Sequence, residues 1–372
     1  MKIAFIDVTT TVFFGGIQTA VWALARTLAE MGHEVTVYGG EGPIRPEGDA
    51  ANLIQIRTFP FTKRERFPNL GTRFRKLAER ISFARQAKRA VIGGEYDWVV
   101  LTKPFDFFWP RLMPSDSKTR FAFMSGGTDF FRGDRWLSKN IEAFVACSHF
   151  NAQQNYSRFK RPVKVMFNGV DTEAFQPECR DIALRESLGF SEKDIVFVFA
   201  GRVVGLKGVA IPVKALAHPV LADKPIKLLV IGDGDAVPDL RALANKLGVI
   251  EQVVFHPGLP HHVLPKYYAS ADVGMFPSLG EEAFGIAVAE AMACGLPVVA
   301  SHSGGMPEVV GNEGSCGQLF ALGDVDACAE AMAMLCANGE QRCQMGKAAR
   351  QRIVERFTWQ MAAQRLLKAL PA

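Results

Sequence analysis

Strand-like and helix-like segments alternate along the whole chain, and this alternation limits the fold more than any other feature. Short runs rich in β-branched and aromatic residues recur at 2–8, 34–38, 53–57, 97–101, 120–124, 143–147 and 163–167, and each is expected to be a strand. The clearest helix follows the first of them. Ile17, Ala20, Val21, Leu24, Ala25 and Leu28 keep the i, i+3, i+4 spacing of one helix face, and Gly32 ends the run. Strands joined by helical crossovers pair in parallel, so the pattern predicts parallel sheets covered by helices.

The alternation breaks once, at NGVDTEAFQPE (168–178), where Asn-Gly and a Pro mark a link between domains. It restarts at IVFVFAG (195–201), with further strands expected at 226–231, 252–255, 272–276 and 296–300. A chain of 372 residues is long enough for two domains. The expected architecture is therefore α/β: two Rossmann-like, doubly wound domains facing each other across a cleft. The first would span 1–168 and the second 169–356, with the closing amphipathic segment 357–372 free to pack back on the first. Ligands of such sheets sit at the C-terminal ends of the strands.

Composition excludes several classes. No apolar run reaches the roughly 18 residues of a membrane span. MKIAFIDV reads as a strand and lacks the apolar region and cleavage site of a signal peptide. The seven cysteines are scattered with no C-x-x-C pair, so neither a zinc knuckle nor a disulfide framework is expected, and a reducing cytoplasm is the simplest setting. The seven histidines show no metal spacing, and no G-x-S-x-G elbow appears. Charge is uneven. Residues 1–170 hold 25 Lys and Arg against 15 Asp and Glu, while 171–372 hold 18 against 23, so the two halves face different partners.

The segment richest in chemistry is EEAFGIAVAEAMACGLPVVAS. A helix from about Gly285 to Cys294 places Glu290 on an otherwise apolar rod, and a buried carboxylate is costly unless paired. Glu282 falls just before that helix, beside the free backbone N–H groups of its first turn, which attract anions. Phosphates and sugar hydroxyls in one ligand would suit both features. A second signal is FAGRVVGLKGV (199–209), where Arg202 and Lys207 flank a loop at a strand end. Two cations there suit a diphosphate, or are merely solvated. A third is Gly15-Gly16 at the start of the first helix: either a close approach of backbone to phosphate or a flexible turn. A full G-x-G-x-x-G is absent, which argues against a nicotinamide dinucleotide. Asp233 and Asp235 read as turn residues rather than metal ligands, and Asp324 with Asp326 as a helix cap. SGGMPEVVG (303–311) is a further glycine loop after a strand.

Residues 62–90 carry ten Lys and Arg against two Glu, interleaved with Phe67, Leu70, Phe74, Leu77, Ile81 and Phe83. Such a stretch is either a membrane-surface helix for anionic lipid or a core helix with a solvated basic face. The apolar, proline-broken PFDFFWPRLM (104–113) could add to an interfacial element. No base-reading motif accompanies the charge, so nucleic acid is not expected as a partner.

Together these residues resemble glycosyltransferase family 4, enzymes of the GT-B fold. The resemblance runs from residue 1 to about 370 and is strongest over 195–311. It rests on Glu282-x7-Glu290 with Phe-Gly between, the following CGLPVVAS-x-x-GG-x-PE run, the GR-x4-KG loop at 201–208, NGVD at 168–171 and the N-terminal Gly-Gly. It implies a retaining, hexosyl-type transfer from a UDP- or GDP-sugar, without cofactor or metal, to a glycan or lipid-linked acceptor in surface polysaccharide, lipopolysaccharide or glycolipid synthesis. The setting implied is cytoplasmic, with the basic stretch able to hold the enzyme on the inner membrane face. The resemblance gives Arg202 and Lys207 to the diphosphate and the leaving charge. It gives the Phe284, Gly285 and Ile286 amides to phosphate or sugar, Glu290 to ribose hydroxyls and Glu282 to the transferred sugar. Gly15 and Gly16 would lie against the diphosphate, and Gly258 and Leu259 near the base. Many members carry a His after the strand matching RFAFM (120–124). This chain reads Ser125-Gly126-Gly127-Thr128-Asp129 there, so Thr128 and Asp129 are the acceptor-side candidates. Alternatives are another GT-B enzyme, such as an epimerase or a phosphorylase, or a non-catalytic nucleotide-sugar-binding partner.

Overall fold

The computed structural model describes residues 1–13, 15–45 and 50–371. The chain divides into two units, Met1–Asn168 with Trp359–Ala372, and Gly169–Thr358. Each is built on one parallel sheet.

In the first unit the strands are β1 (Lys2–Ile6), β2 (Glu34–Gly40), β3 (Ile54–Phe59), β4 (Trp98–Leu101), β5 (Arg120–Ser125), β6 (Ala143–Ala146) and β7 (Lys164–Val165). Their order is β3-β2-β1-β4-β5-β6-β7, and every pairing is parallel. The two-residue period of a strand sorts side chains onto two cores. Ile3 and Phe5 join the cluster under the Gly16–Glu30 helix, whereas Ala4 and Ile6 join an aromatic-rich cluster on the opposite face. The closing helix, Trp359–Ala369, belongs to this unit, with Trp359, Ala362, Ala363 and Leu366 buried in the first cluster. On the other face lies the Thr72–Ile92 helix, which buries Phe83, Ala84, Ala87 and Val91.

That helix settles only part of the basic stretch at 62–90. Phe83 is core, but Leu70 is 70% exposed, Phe74 42% and Ile81 37%. The interleaved apolar residues therefore do not form one buried stripe. The side chains that face inward include the polar Glu79 and Arg80 instead.

The second unit holds β8 (Ile195–Ala200), β9 (Ile226–Ile231), β10 (Val253–His256), β11 (Val273–Phe276), β12 (Val298–Ser301) and β13 (Gly317–Phe320), in the order β10-β9-β8-β11-β12-β13 and again all parallel. Asp324 caps the Val325–Ala337 helix by accepting from the Ala327 amide at 2.9 Å. No described helix is long and apolar enough to cross a membrane.

Both sheets reverse direction at one point, between β1 and β4 and between β8 and β11. At such a reversal the helices leave on opposite faces and open a crevice at the strand C-termini. In the first unit that crevice is floored by buried charge. Asp7, just past β1, accepts from Thr102 Oγ1 at 2.7 Å and from Thr9 Oγ1 at 2.7 Å. Arg80 reaches Asp7 at 3.3 Å and also bonds Asp106. Burial acts to raise the Asp7 carboxyl, but Arg80, Thr9 and Lys103 together hold it below its ordinary range. One guanidinium cannot serve two carboxylates equally, and burial pushes Asp106 up to about 7.

Two outcomes follow from this cluster. Arg80→Met leaves Asp7 buried without its counter-charge and is expected to cost roughly 3–5 kcal/mol in urea denaturation. The folded state also holds the Asp106 proton more tightly than the unfolded chain does. Its contribution to stability is therefore complete in acid and is lost as pH rises through about 7. Urea midpoints on either side of that pH should show this loss in the wild type and not in Asp106→Asn.

Candidate active site

The residues that the sequence singled out in the second unit converge on its crevice. β8 runs into Gly201 and Arg202, and the loop ends at Lys207 and Gly208. β11 runs into Pro277, Ser278 and the segment carrying Glu282. The two loops are sewn together, because the amides of Leu279 and Gly280 donate to the Leu206 carbonyl at 2.8 and 3.0 Å. Gly208 is left-handed at φ 68°, and a Cβ there would lie 2.0 Å from the Pro277 carbonyl oxygen. Only glycine fits both constraints.

This stitching brings Lys207 Nζ to 2.5 Å from Glu282 Oε1, and Ser278 Oγ donates to the same oxygen at 2.6 Å. The Glu282 carbonyl accepts from the Gly305 amide at 2.7 Å, which ties in the glycine loop after β12. Ser301 Oγ and Ser303 Oγ donate to the carbonyls of Ser278 and Gly280 at 2.7 and 3.0 Å. Three loops, after β8, β11 and β12, thus form one rim.

Behind Glu282 the Ile286–Ala293 helix begins, capped by Gly285 in the left-handed conformation at φ 95°. The Phe284 side chain is core, packed 5.6 Å from the Phe357 ring. Among the described residues, the amides of Phe284, Gly285 and Ile286 donate to no protein acceptor. They remain available to an anion at the positive end of the helix. Glu290 lies one turn further on and is 5% exposed. His261 Nε2 sits 2.7 Å from its Oε1. An ionised carboxylate only accepts, so that ring nitrogen carries the proton.

The two glutamates share a design. In each, Oε1 is anchored by protein donors, while Oε2 has no hydrogen bond among the described residues. Each therefore offers a fixed acceptor to a ligand hydroxyl. Arg202 is exposed and has no ion-pair partner among the described residues, so one of the two expected cations is free and the other is held by Glu282. The Gly258 amide donates to Asp233 Oδ2 at 3.1 Å, which fixes the turn after β10, with Leu259 half-buried beside it. Asp233 is thus a turn-former here.

Gly15, Gly16, Thr128 and Asp129 belong to the other unit. Gly15 caps the Gly16–Glu30 helix in extended conformation, while Phe14 before it lies outside the described residues. Thr128 is exposed, and Asp129 pairs with Lys76 at 2.7 Å. Sequence reasoning missed Ser278, His261 and the Lys76 pairing. The position of Ser278 directly after a strand, at the same end as Glu282, was the one signal available for it.

Comparison with known proteins identifies the family and the fold. A model of glycosyl transferases group 1 matches residues 181–352, and one of glycosyltransferase family 4 matches residues 14–174. A GDP-mannose-dependent alpha-(1-6)-phosphatidylinositol monomannoside mannosyltransferase of Mycolicibacterium smegmatis is 30% identical over 96% of this chain and 94% of its own length. Among solved structures, sucrose-phosphate synthase of Thermosynechococcus elongatus superposes with a TM-score of 0.80 at 21% identity, covering 99% of this chain and 97% of that one. The Anabaena protein HepE, solved in complex with UDP and glucose, gives 0.78 at 20% identity, covering 99% and 98%.

Two Rossmann-like parallel sheets with these structural neighbours define the GT-B fold. Within that class, the chain belongs to glycosyltransferase family 4.

The Gly208 constraint is directly testable. Gly208→Ala is expected to destabilise the second unit by roughly 1–3 kcal/mol in thermal unfolding. Gly205→Ala, where an added Cβ meets nothing within 4 Å, should be close to neutral.

Proposed function

We propose that the second unit binds a UDP- or GDP-sugar and that the enzyme moves the sugar, with retention, to a glycan or lipid-linked acceptor. The product class is a surface polysaccharide, lipopolysaccharide or glycolipid, and the transfer is hexosyl. One observation carries this reading: Lys207 and Glu282 lie together at the mouth of a helix whose first amides are unpaired, with Arg202 free on the same loop. The printed names of the relatives support it, since one uses GDP-mannose and another was solved with UDP and glucose.

In the reaction the bond between the sugar's anomeric carbon and the diphosphate breaks, its electron pair leaving with the diphosphate, and a bond to the acceptor oxygen forms as that oxygen passes its proton to the departing diphosphate. Arg202, Lys207 and the amides of residues 284–286 offset the charge that develops on the departing diphosphate. That charge is met by side chains and backbone, so no metal is invoked. The open oxygen of Glu290 accepts from the ribose, and that of Glu282 from the transferred sugar. Gly258 and Leu259 border the base. Thr128 and Asp129 are the acceptor-side groups.

A place on the cytoplasmic face of a membrane fits the exposed Leu70, Phe74 and Ile81 among the cations of 62–90. Flotation with anionic liposomes should occur at low salt and weaken as salt is added.

Release of UDP or GDP from a panel of nucleotide sugars, with lipid-linked acceptors, tests the donor assignment. Lys207→Ala is expected to lower kcat by roughly 100-fold, the effect of losing one donor to developing charge. Glu290→Ala should act mainly through a higher donor KM. Transfer intact in both variants would sink the site assignment. Product formed without any acceptor would point to an epimerase, a need for inorganic phosphate to a phosphorylase, and donor binding without turnover to a non-catalytic partner.

A further inference from the structure

The first unit holds an open pocket of about 260 Å³, lined by Arg73, Phe130, Phe131, Arg132 and Arg158. We infer that it is a phosphate site, and, resting on the transferase reading, that it receives a phosphate carried by the acceptor.

The pocket follows β5, whose C-terminal end leads through Thr128 and Asp129 to Phe130. It therefore lies beside the acceptor-side candidates in the chain and at the ligand-binding end of the sheet. Arg158, from the His149–Phe159 helix, is held in one orientation. Its Nη2 bonds Asp134 Oδ1 and the Phe131 carbonyl, each at 2.6 Å, and its Nε reaches Asp134 Oδ1 at 3.0 Å. The Phe130 ring lies 5.7 Å below the guanidinium. Asp134 is fully buried, so this pairing is fixed and electrically balanced. Among the described residues, Arg158 Nη1 has no partner and its hydrogens are free.

Arg73 and Arg132 differ from Arg158. Both are exposed, and among the described residues neither has a hydrogen-bond or ion-pair partner. The nearby acids are already engaged, Asp134 with Arg158 and Asp129 with Lys76. The pocket thus presents two uncompensated guanidinium charges and one pre-set N–H group against an aromatic wall. Phe131 is stacked on Phe105 at 4.7 Å, which keeps that wall rigid. Two planar forks match the oxygens of a phosphate, and two charges match its dianionic ester. A carboxylate would leave one charge unmatched.

The phosphate could be that of a soluble polyol phosphate or of a lipid headgroup, and two assays on the full chain separate these. Calorimetry uses inorganic phosphate and glycerol 3-phosphate. Sedimentation uses phosphatidylcholine vesicles with and without phosphatidic acid, whose phosphate is a monoester. Arg73→Ala and Arg132→Ala are each expected to weaken binding roughly tenfold, the loss of one charge-assisted contact. Lys118→Ala, at an exposed cation of the first unit outside residues 62–90, should change nothing. Arginine-dependent binding of the soluble esters supports the site with a soluble source, and arginine-dependent binding of the vesicles alone supports it with a lipid source. No binding in either assay, or binding that ignores Arg73 and Arg132, overturns it. Nucleotide-sugar binding, measured on the same variants, should be unchanged. A protein that binds phosphate here but no nucleotide sugar would overturn the donor assignment and leave this site standing.

Discussion

Lys207 and Glu282 come from loops 75 residues apart and meet at 2.5 Å, and the arrangement of the second unit's crevice depends on that meeting. The side chains are 29% and 24% exposed, so the pair adds little to stability. Its consequence is positional. It fixes one oxygen of Glu282, sets the lysine beside the helix start and joins the loops after β8 and β11. The parallel strand order makes the meeting possible, because only at the sheet's reversal do those two loops leave side by side.

The same economy appears at Glu290. A buried carboxylate would be costly unpaired, and His261 supplies the partner. Both glutamates are thereby half satisfied, with one oxygen held by protein and the other left for a ligand. A carboxylate that must move protons needs a tuned pKa and a reacting atom within reach. One that must hold a hydroxyl needs a fixed acceptor, which is the role the proposed function gives these two. On the proposed function, the chemistry then falls to the cations and amides set to face a departing diphosphate.

Much of this was legible in the sequence. Runs of β-branched and aromatic residues located the strands, and the i, i+3, i+4 period the Gly16–Glu30 helix, because both are local features. The Ile286–Ala293 helix and the place of Glu282 before it were equally plain. What could not be read were contacts between distant segments. His261 and Glu290 are 29 residues apart, and Arg80 lies 73 from Asp7. No local pattern marks either pair, since tertiary packing alone brings them together. The basic stretch at 62–90 kept two readings open for a related reason. Its spacing cannot show that the helix turns Arg80 inward to buried acids while Phe74, and Leu70 just before the helix, stay outside.

If the glutamates are anchored acceptors, the anchor and the acceptor should act as one unit. A double-mutant cycle of His261→Ala and Glu290→Gln, read as nucleotide-sugar affinity by calorimetry, measures this most directly. The expected result is strong non-additivity, with His261→Ala adding almost no loss once Glu290 has been changed. Additive losses would show that His261 does not act through Glu290, and would contradict the central claim.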